Sequence, residues 1–266
     1  MLGILGLFRA GWLTAASYRV RMIVSVLGMM LAVVPLFFVS RAMQPLMQQT
    51  IRNESPQYFG FLLIGMTCMT FLPLAVASVP NAVNSAINTG TFESLLETPM
   101  GIGAALAGLV SYEVVFVVLR SLFLMLAGAV LGAAIVWTRV PLAFVILCLI
   151  VAAHIPFGLI AAAGVLAFRT AGPLPQGVLV LSGLLGGVYY PTHVIPGWLE
   201  TVANFVPLSY GLRALRQVLT LAQVDTQPWR DVGVMMLASI PLWVIGGGAF
   251  AIALRRAQQN GNLSRY

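Results

Sequence analysis

Charged residues are scarce in this 266-residue sequence, and lysine is absent. Only 8% of the residues are charged, whereas about 25% is usual for soluble globular domains. All 14 basic residues are arginines, so a phosphate-binding loop that ends in Gly-Lys-Ser/Thr is excluded. Hydrophobic residues make up 60% of the chain. So little polar surface cannot cover a fold in water, and the solvent of this chain must be largely lipid.

The sequence also lacks clustered catalytic or metal-ligating residues. Its two histidines, His154 and His193, and its two cysteines, Cys68 and Cys148, do not stand at metal-ligand spacing. No catalytic motif pairs a nucleophile with a base. We therefore expect that the chain is not an enzyme and carries no cofactor or metal of its own. The arginines are scattered, which argues against nucleic-acid binding and favours positions at the ends of membrane spans.

Apolar runs long enough to cross a bilayer recur along the whole chain. A helix rises about 1.5 Å per residue, so about 20 apolar residues match the ~30 Å hydrocarbon core. We predict an all-α integral membrane protein that forms a single transmembrane domain over residues 1–266. Its six predicted transmembrane helices are 22–40, 59–79, 104–137, 141–168, 174–190 and 232–254.

Two amphipathic segments accompany these spans. In residues 2–19, apolar side chains such as Phe8 and Trp12 recur at helical spacing, which indicates an interfacial helix or the first turns of an over-long first span. The fifth run is short and contains Pro175, and the amphipathic residues 191–220 follow it. That region either dips into the membrane as re-entrant helices or lies flat on its surface.

Three ionisable side chains fall inside predicted spans, namely Glu113, Arg120 and His154. A charge at the bilayer centre costs about 2.5–3.5 kcal/mol on insertion scales, so such residues need a reason. One interpretation is a polar substrate path or proton relay, which makes a proton-coupled secondary transporter or channel the alternative function. The other is that Glu113 lies near the surface, Arg120 pairs with a neighbouring helix and His154 bonds to a backbone carbonyl.

The connection after the second span is polar and can form a short helix. Phe92, Leu95 and Leu96 are predicted to lie on one side of it. Such an apolar patch either docks on a partner or packs against the ends of its own spans.

Two blocks of the sequence resemble the type-2 ABC exporter permeases. In TGTFESLLETP, the matching residues of a Gly-x-x-Glu-x-Leu-x-x-Thr-Pro pattern are Gly90, Glu93, Leu95, Thr98 and Pro99. The second block spans residues 182–219, and its matches are Ser182, Gly183, Tyr190, Pro191, Pro196, Trp198, Leu199, Pro207, Leu208, Tyr210 and either Arg213 or Arg216. One departure is that arginine is absent from residues 80–119, where the family commonly carries basic residues.

The resemblance implies an ATP-driven exporter of a hydrophobic or amphiphilic substrate, such as a drug-like metabolite, a lipid or a lipid-linked glycan. A cytoplasmic coupling helix within residues 81–100 is implied to sit in a separate ATPase subunit, which binds ATP and Mg²⁺. The implied coupling residues are Asn88, Gly90, Phe92, Glu93, Leu95, Leu96, Thr98 and Pro99.

The resemblance also implies re-entrant helices on the outer side, over residues 191–220. Two copies of the permease are implied to form a homodimer among membrane lipids, with the first and fifth spans meeting between them. The residues of the dimer seam or substrate path are then Gly183, Gly187, Tyr189, Tyr190, Glu113 and Arg120. The arginine count does not decide the orientation, but the resemblance implies a multi-pass protein of the cytoplasmic membrane with both termini in the cytoplasm.

Overall fold

The computed structural model describes residues 19–92, 101–170, 172–222 and 225–260, which form helices and short connections without a strand. The predicted interfacial helix at residues 2–19 lies outside this part except for Arg19. We number the α-helices α1 (Arg19–Ile51), α2 (Tyr58–Val76), α3 (Ser78–Asn88), α4 (Gly101–Val130), α5 (Val140–Phe168), α6 (Leu174–Leu185), α7 (Gly197–Ala203), α8 (Pro207–Thr220) and α9 (Gln227–Asn260).

The described residues contain four helical stretches that are long and apolar enough to cross a membrane, namely Tyr58–Asn88, Ile102–Val130, Trp137–Phe168 and Gln227–Gln259. They contain the predicted second, fourth and sixth spans and most of the third. The first predicted span lies within α1, a helix of 33 residues. An all-helical membrane fold is therefore confirmed, while the full count of six spans stays a prediction.

The predicted third span is too long at its end. Helix α4 stops at Val130 because Gly132 adopts a left-handed conformation with φ 93°. The Ala133 amide then donates to the Gly128 carbonyl at 2.9 Å, which closes the last turn. Residues 131–136 leave the helix although they are apolar.

The helix found at the fifth predicted span is also shorter than predicted. Helix α6 has 12 residues, so it is about 18 Å long and cannot cross a ~30 Å hydrocarbon core by itself. Gly187, with φ 77°, turns the chain away just after the helix ends. Residues 186–190 therefore form a bend in place of the last turn of a span.

Helix α5 is the centre of the packing, because α2, α3, α8 and α9 all contact it. Two glycines allow neighbouring backbones to approach each other closely. A Cβ at Gly158 of α5 would overlap the Ala75 carbonyl of α2, and one at Gly246 of α9 would lie 2.6 Å from the Pro156 carbonyl of α5. These contacts hold α2 and α9 directly against the backbone of α5.

Candidate functional site

Arg216 of α8 is a fully buried arginine, with 1% of its surface exposed. Its Nη1 donates to Glu54 Oε2 at 3.0 Å, and its Nε donates to the Phe61 carbonyl at 3.1 Å. Its Nη2 donates to the carbonyls of Gly187 and Val188, both at 2.9 Å. We call these five residues the Arg216 hub.

The chemistry of the hub requires arginine. Burial lowers the pKa of Arg216 to about 10 while the Glu54 carboxylate opposes that shift, so the guanidinium stays charged at neutral pH. The group also lies over the Phe61 ring, 3.3 Å from its centroid. A buried charge is tolerated only when it is paired and hydrogen-bonded, and the planar fork of arginine reaches four acceptors at once.

The hub ties α8 to the link between α1 and α2. Two further side chains of α8 reinforce this connection. The Thr220 hydroxyl donates to the Glu54 carbonyl at 2.9 Å, and the Gln217 amide nitrogen donates to the Asn53 carbonyl at 3.2 Å. One face of α8 therefore holds the link between α1 and α2 in place.

The aromatic and basic residues of the second sequence block surround the hub. The Tyr58 hydroxyl donates to the Tyr189 carbonyl at 2.9 Å. Arg213 lies 3.7 Å from the Asp231 carboxylate and 5.6 Å from the centroid of the Tyr210 ring. The block thus brings α8 against both α2 and the start of α9.

The prolines of the same block shape the backbone. Pro207 is the first residue of α8, a position that proline favours, and Pro196 immediately precedes the first residue of α7. Pro191 is buried and Tyr190 is half-buried. Trp198 is 70% exposed, so this predicted residue is not part of the hub.

A second cluster lies where α3 meets the ends of other helices. Phe92, only 2% exposed, packs in it with side chains from α3, α4 and α5. We call this group the α3 cluster; it contains Val83, Ala86, Phe92, Leu106, Ala162 and Val165, with Phe250 and Leu254 of α9 packed against it.

The burial of Phe92 agrees with the interpretation in which this segment packs against the ends of its own spans. Its role in coupling to an ATPase stays a prediction. Asn88 and Gly90 are exposed. The other predicted coupling residues, Glu93, Leu95, Leu96, Thr98 and Pro99, lie outside the described residues.

Gly90 has a clear structural role in the first sequence block. Its φ of 68° is left-handed, and its amide donates to the Ile87 carbonyl at 3.1 Å. The Thr91 amide reaches back to the Ala86 carbonyl at 2.9 Å, which completes a helix C-cap. The glycine of the motif therefore ends α3 and directs the chain toward Phe92.

The three intramembrane ionisable residues occupy separate places. Glu113 of α4 accepts a hydrogen bond from the Ser78 hydroxyl at the start of α3. Arg120 lines a cavity of about 560 Å³ between α1, α2 and α4. His154 is fully buried, and its Nδ1 lies 2.8 Å from the Ile150 carbonyl. The histidine contact agrees with the backbone-bonded interpretation.

The two glycines predicted at the dimer seam have contacts within the chain. A Cβ at Gly183 would lie 3.3 Å from the end of the Met69 side chain, so this glycine packs against α2. Gly187 contributes its carbonyl to the hub. A role between two copies stays a prediction.

Sequence reasoning missed Glu54, Phe61 and Ser78. Glu54 is one of only seven acidic residues, and it stands between two predicted spans. A buried arginine requires a carboxylate, so these two scarce charges could have been paired. Their separation of 162 positions hides that contact from any local pattern.

Comparison with known proteins supports the family resemblance that the two sequence blocks carry. A family profile described as ABC-2 type transporter matches residues 6–220. The match includes both blocks and ends at the last residue of α8. The comparison with curated proteins gave no match. Within the described ranges, no group of three or more His, Cys, Asp and Glu side chains could hold a metal ion.

Proposed function

The chain belongs to the ABC-2 type transporter family and is the membrane permease of an ABC transporter, and on that premise we propose that it exports a hydrophobic or amphiphilic substrate. A separate ATPase subunit binds ATP and Mg²⁺ and drives the cycle. Two copies of the permease, each with six spans, assemble in the cytoplasmic membrane. Both termini and the α3 cluster then face the cytoplasm.

The α3 cluster is the observation that carries this proposal. Phe92 fixes the segment after α3 onto the ends of α4, α5 and α9 through close apolar packing. Packed side chains of this kind transmit displacement as a body, because the core is dense and deforms little. An ATPase that moves the segment at residues 89–99 would therefore move three long helices together.

The Arg216 hub supports the other half of the mechanism. It joins α8 to the α1–α2 link and to the bend after α6, so these segments form one unit. This unit lies at the opposite end of the molecule from the α3 cluster. In the proposed orientation this unit is the outer gate. A rigid gate can respond to the motion of α5 and α9, which pack against α8.

The proposal of an amphiphilic substrate is supported by a cavity of about 850 Å³. It lies between α5, the start of α6 and α9, and Ile160, Leu174 and Ile252 contribute apolar lining. Arg169 and Arg256 line it as well. Its size falls in the range of about 300–1,000 Å³ that is common for small-molecule sites.

The test is reconstitution of the permease with its ATPase in proteoliposomes. ATP hydrolysis and cargo movement are measured with amphiphilic drugs, phospholipids and lipid-linked glycans. We expect at least one class to stimulate hydrolysis and to move only with ATP. Movement that follows a proton gradient without nucleotide would support the secondary transporter instead, and His154→Gln would then abolish it.

A charge reversal in the first sequence block tests the coupling assignment. We expect Glu93→Arg to prevent co-purification with the ATPase and to abolish cargo-stimulated hydrolysis. Gln258→Arg is the matched control, because it adds a positive charge at an exposed position of α9. If both variants behave like the wild type, the coupling segment lies elsewhere.

A further inference from the structure

The cavity of about 850 Å³ between α5, the start of α6 and α9 has an apolar end and a basic end. We propose that it selects an anionic amphiphile, whose tail lies between α5 and α9 and whose phosphate or carboxylate group contacts Arg169 and Arg256. The inference deepens the proposed function, on which its transport step rests, because it gives the amphiphile a charge. Binding itself needs no ATPase.

Small side chains open the cavity along α9. Ala249, Ala253 and Ala257 line it at four-residue steps, so they share one face of the helix. The wall that α5 contributes also contains small residues, such as Ala163 and Gly164. Larger side chains at these positions would fill the space between the two helices. The sequence therefore leaves room for the tail of a ligand.

The register of the two helices places both arginines at one end of the cavity. Gly246 of α9 packs on Pro156 of α5, and later residues of both helices meet again in the α3 cluster. The helices therefore run in the same direction, and Arg169 and Arg256 follow their last turns. Ile160 lines the cavity nine positions before Arg169, or about 13 Å along the helix axis. The cavity thus has the polarity of an amphiphile.

The charges of the lining select an anion. Arg169 and Arg256 are both exposed, so a ligand in the cavity can reach their guanidinium groups. Among the described residues, no aspartate or glutamate lines the cavity. A guanidinium group presents N–H donors in one plane, which matches the oxygens of a phosphate or carboxylate. Basic pockets between membrane helices bind anionic head groups in this way, whereas a cationic head group would be repelled.

The backbone at Arg169 is a second, independent observation. With φ 58°, it is the one described residue other than glycine that adopts a left-handed conformation. Its amide donates to the Val165 carbonyl at 2.8 Å and caps α5, a role that glycine usually fills. Backbone strain of this kind collects at functional sites. The chain therefore holds a guanidinium group at the cavity where backbone geometry alone favours glycine.

The experiment measures the binding of matched single-chain probes to the purified full-length permease by native mass spectrometry. Oleoyl lysophosphatidylglycerol is anionic, oleoyl lysophosphatidylcholine is zwitterionic and monoolein is neutral, while all three carry the same acyl chain. We expect the anionic probe to bind about ten-fold more tightly than the other two, because two arginines attract its head group. Equal binding of the three probes, which would reflect only their shared acyl chain, overturns the proposal.

Charge variants locate the head group. We expect Arg169→Gly and Arg256→Gln each to weaken binding of the anionic probe about five-fold. Arg169→Gly should also keep or raise the unfolding temperature, because glycine adopts a positive φ without strain. Arg255→Gln is the matched control, since it removes the same charge from the same exposed end of α9 at a position that does not line the cavity. The site is wrong if Arg255→Gln weakens binding as much as Arg256→Gln does.

A filled cavity tests the position of the tail. Ala253→Phe places a large side chain in the cavity and should weaken binding of the anionic probe at least as much as loss of one arginine does. Ala251→Phe is its control, because Ala251 is exposed on the same helix and does not line the cavity. Equal binding by the two variants contradicts a tail between α5 and α9. If Ala253→Phe does not fold, the arginine variants still decide the proposal.

Proteoliposomes that contain the permease and its ATPase distinguish two sources of the ligand. Movement of the anionic probe that requires ATP identifies it as cargo, whereas binding without such movement identifies a membrane lipid held by the permease. The site is supported in both cases. A failure of ATP-driven transport for every cargo would contradict the proposed function and not the site, which the binding experiment tests by itself.

Discussion

Replacement of Arg216 by methionine removes the guanidinium but keeps a long side chain at the centre of the hub. The carboxylate of Glu54 then stays buried without its partner. The carbonyls of Phe61, Gly187 and Val188 lose the same donor group. The change therefore removes the guanidinium donor from four acceptors in one step.

Removal of one partner from a buried ion pair usually costs about 3–5 kcal/mol. Each buried acceptor left without a donor costs about 1–3 kcal/mol, but these costs overlap within one site. We therefore expect Arg216→Met to lower the free energy of unfolding by about 3–5 kcal/mol. Arg216→Lys should lose less, because it keeps the charge but not the planar fork.

The assay is unfolding of the permease in detergent, with Arg213→Met as the matched control. Arg213 is partly exposed and lies 3.7 Å from the buried Asp231 carboxylate, so we expect this control to lose less free energy of unfolding than Arg216→Met, whose guanidinium is fully buried. The double variant Arg216→Met with Glu54→Gln should lose less than the sum of its single variants, by about 0.5–3 kcal/mol. The reasoning is refuted if Arg216→Met costs no more than Arg213→Met, or if the double variant is strictly additive.

Three further substitutions test the packing of the helices. Gly128→Ala of α4 should lower the free energy of unfolding by about 1–3 kcal/mol, because its Cβ would overlap Leu63. Gly103→Ala of the same helix is the control: its Cβ meets no atom within 4 Å, so unfolding assays should find it neutral or stabilising. Phe92→Ala should cost about 3–5 kcal/mol and reduce cargo-stimulated ATP hydrolysis, and preserved hydrolysis would contradict a coupling role for the α3 cluster. Gly187→Ala should cost about 1–2 kcal/mol because its φ of 77° is left-handed, and unchanged thermal unfolding would contradict that bend.

The lengths of the apolar runs predicted most of the helices because bilayer thickness sets a minimum span. Residues 141–168 were predicted as a span and α5 occupies Val140–Phe168. The errors lie at glycines. Hydropathy continues through Gly132 and Gly187, whereas the backbone turns there because both residues adopt a positive φ.

The site was predicted only in part, for a different reason. The second sequence block contained Arg216 and Tyr189 and thus pointed to one side of the hub. The other side, Glu54 and Phe61, comes from a hairpin more than 150 positions away. Which distant segments meet depends on how the helices pack around α5, and no local pattern records that packing.

Helix α5 connects the two ends of the molecule. Ala162 packs in the α3 cluster, while Ile150 packs so tightly against α8 that a Cβ at Gly211 would overlap its side chain. Helix α5 has 29 residues and is about 43 Å long, so it extends beyond both of these contacts. It lacks one backbone donor at Pro156, which is where a helix bends most easily. Gly246 of α9 packs directly on that proline, so α9 supports α5 at its weakest point. In the proposed mechanism, this support lets displacement of α3 reach the hub as a rigid-body motion.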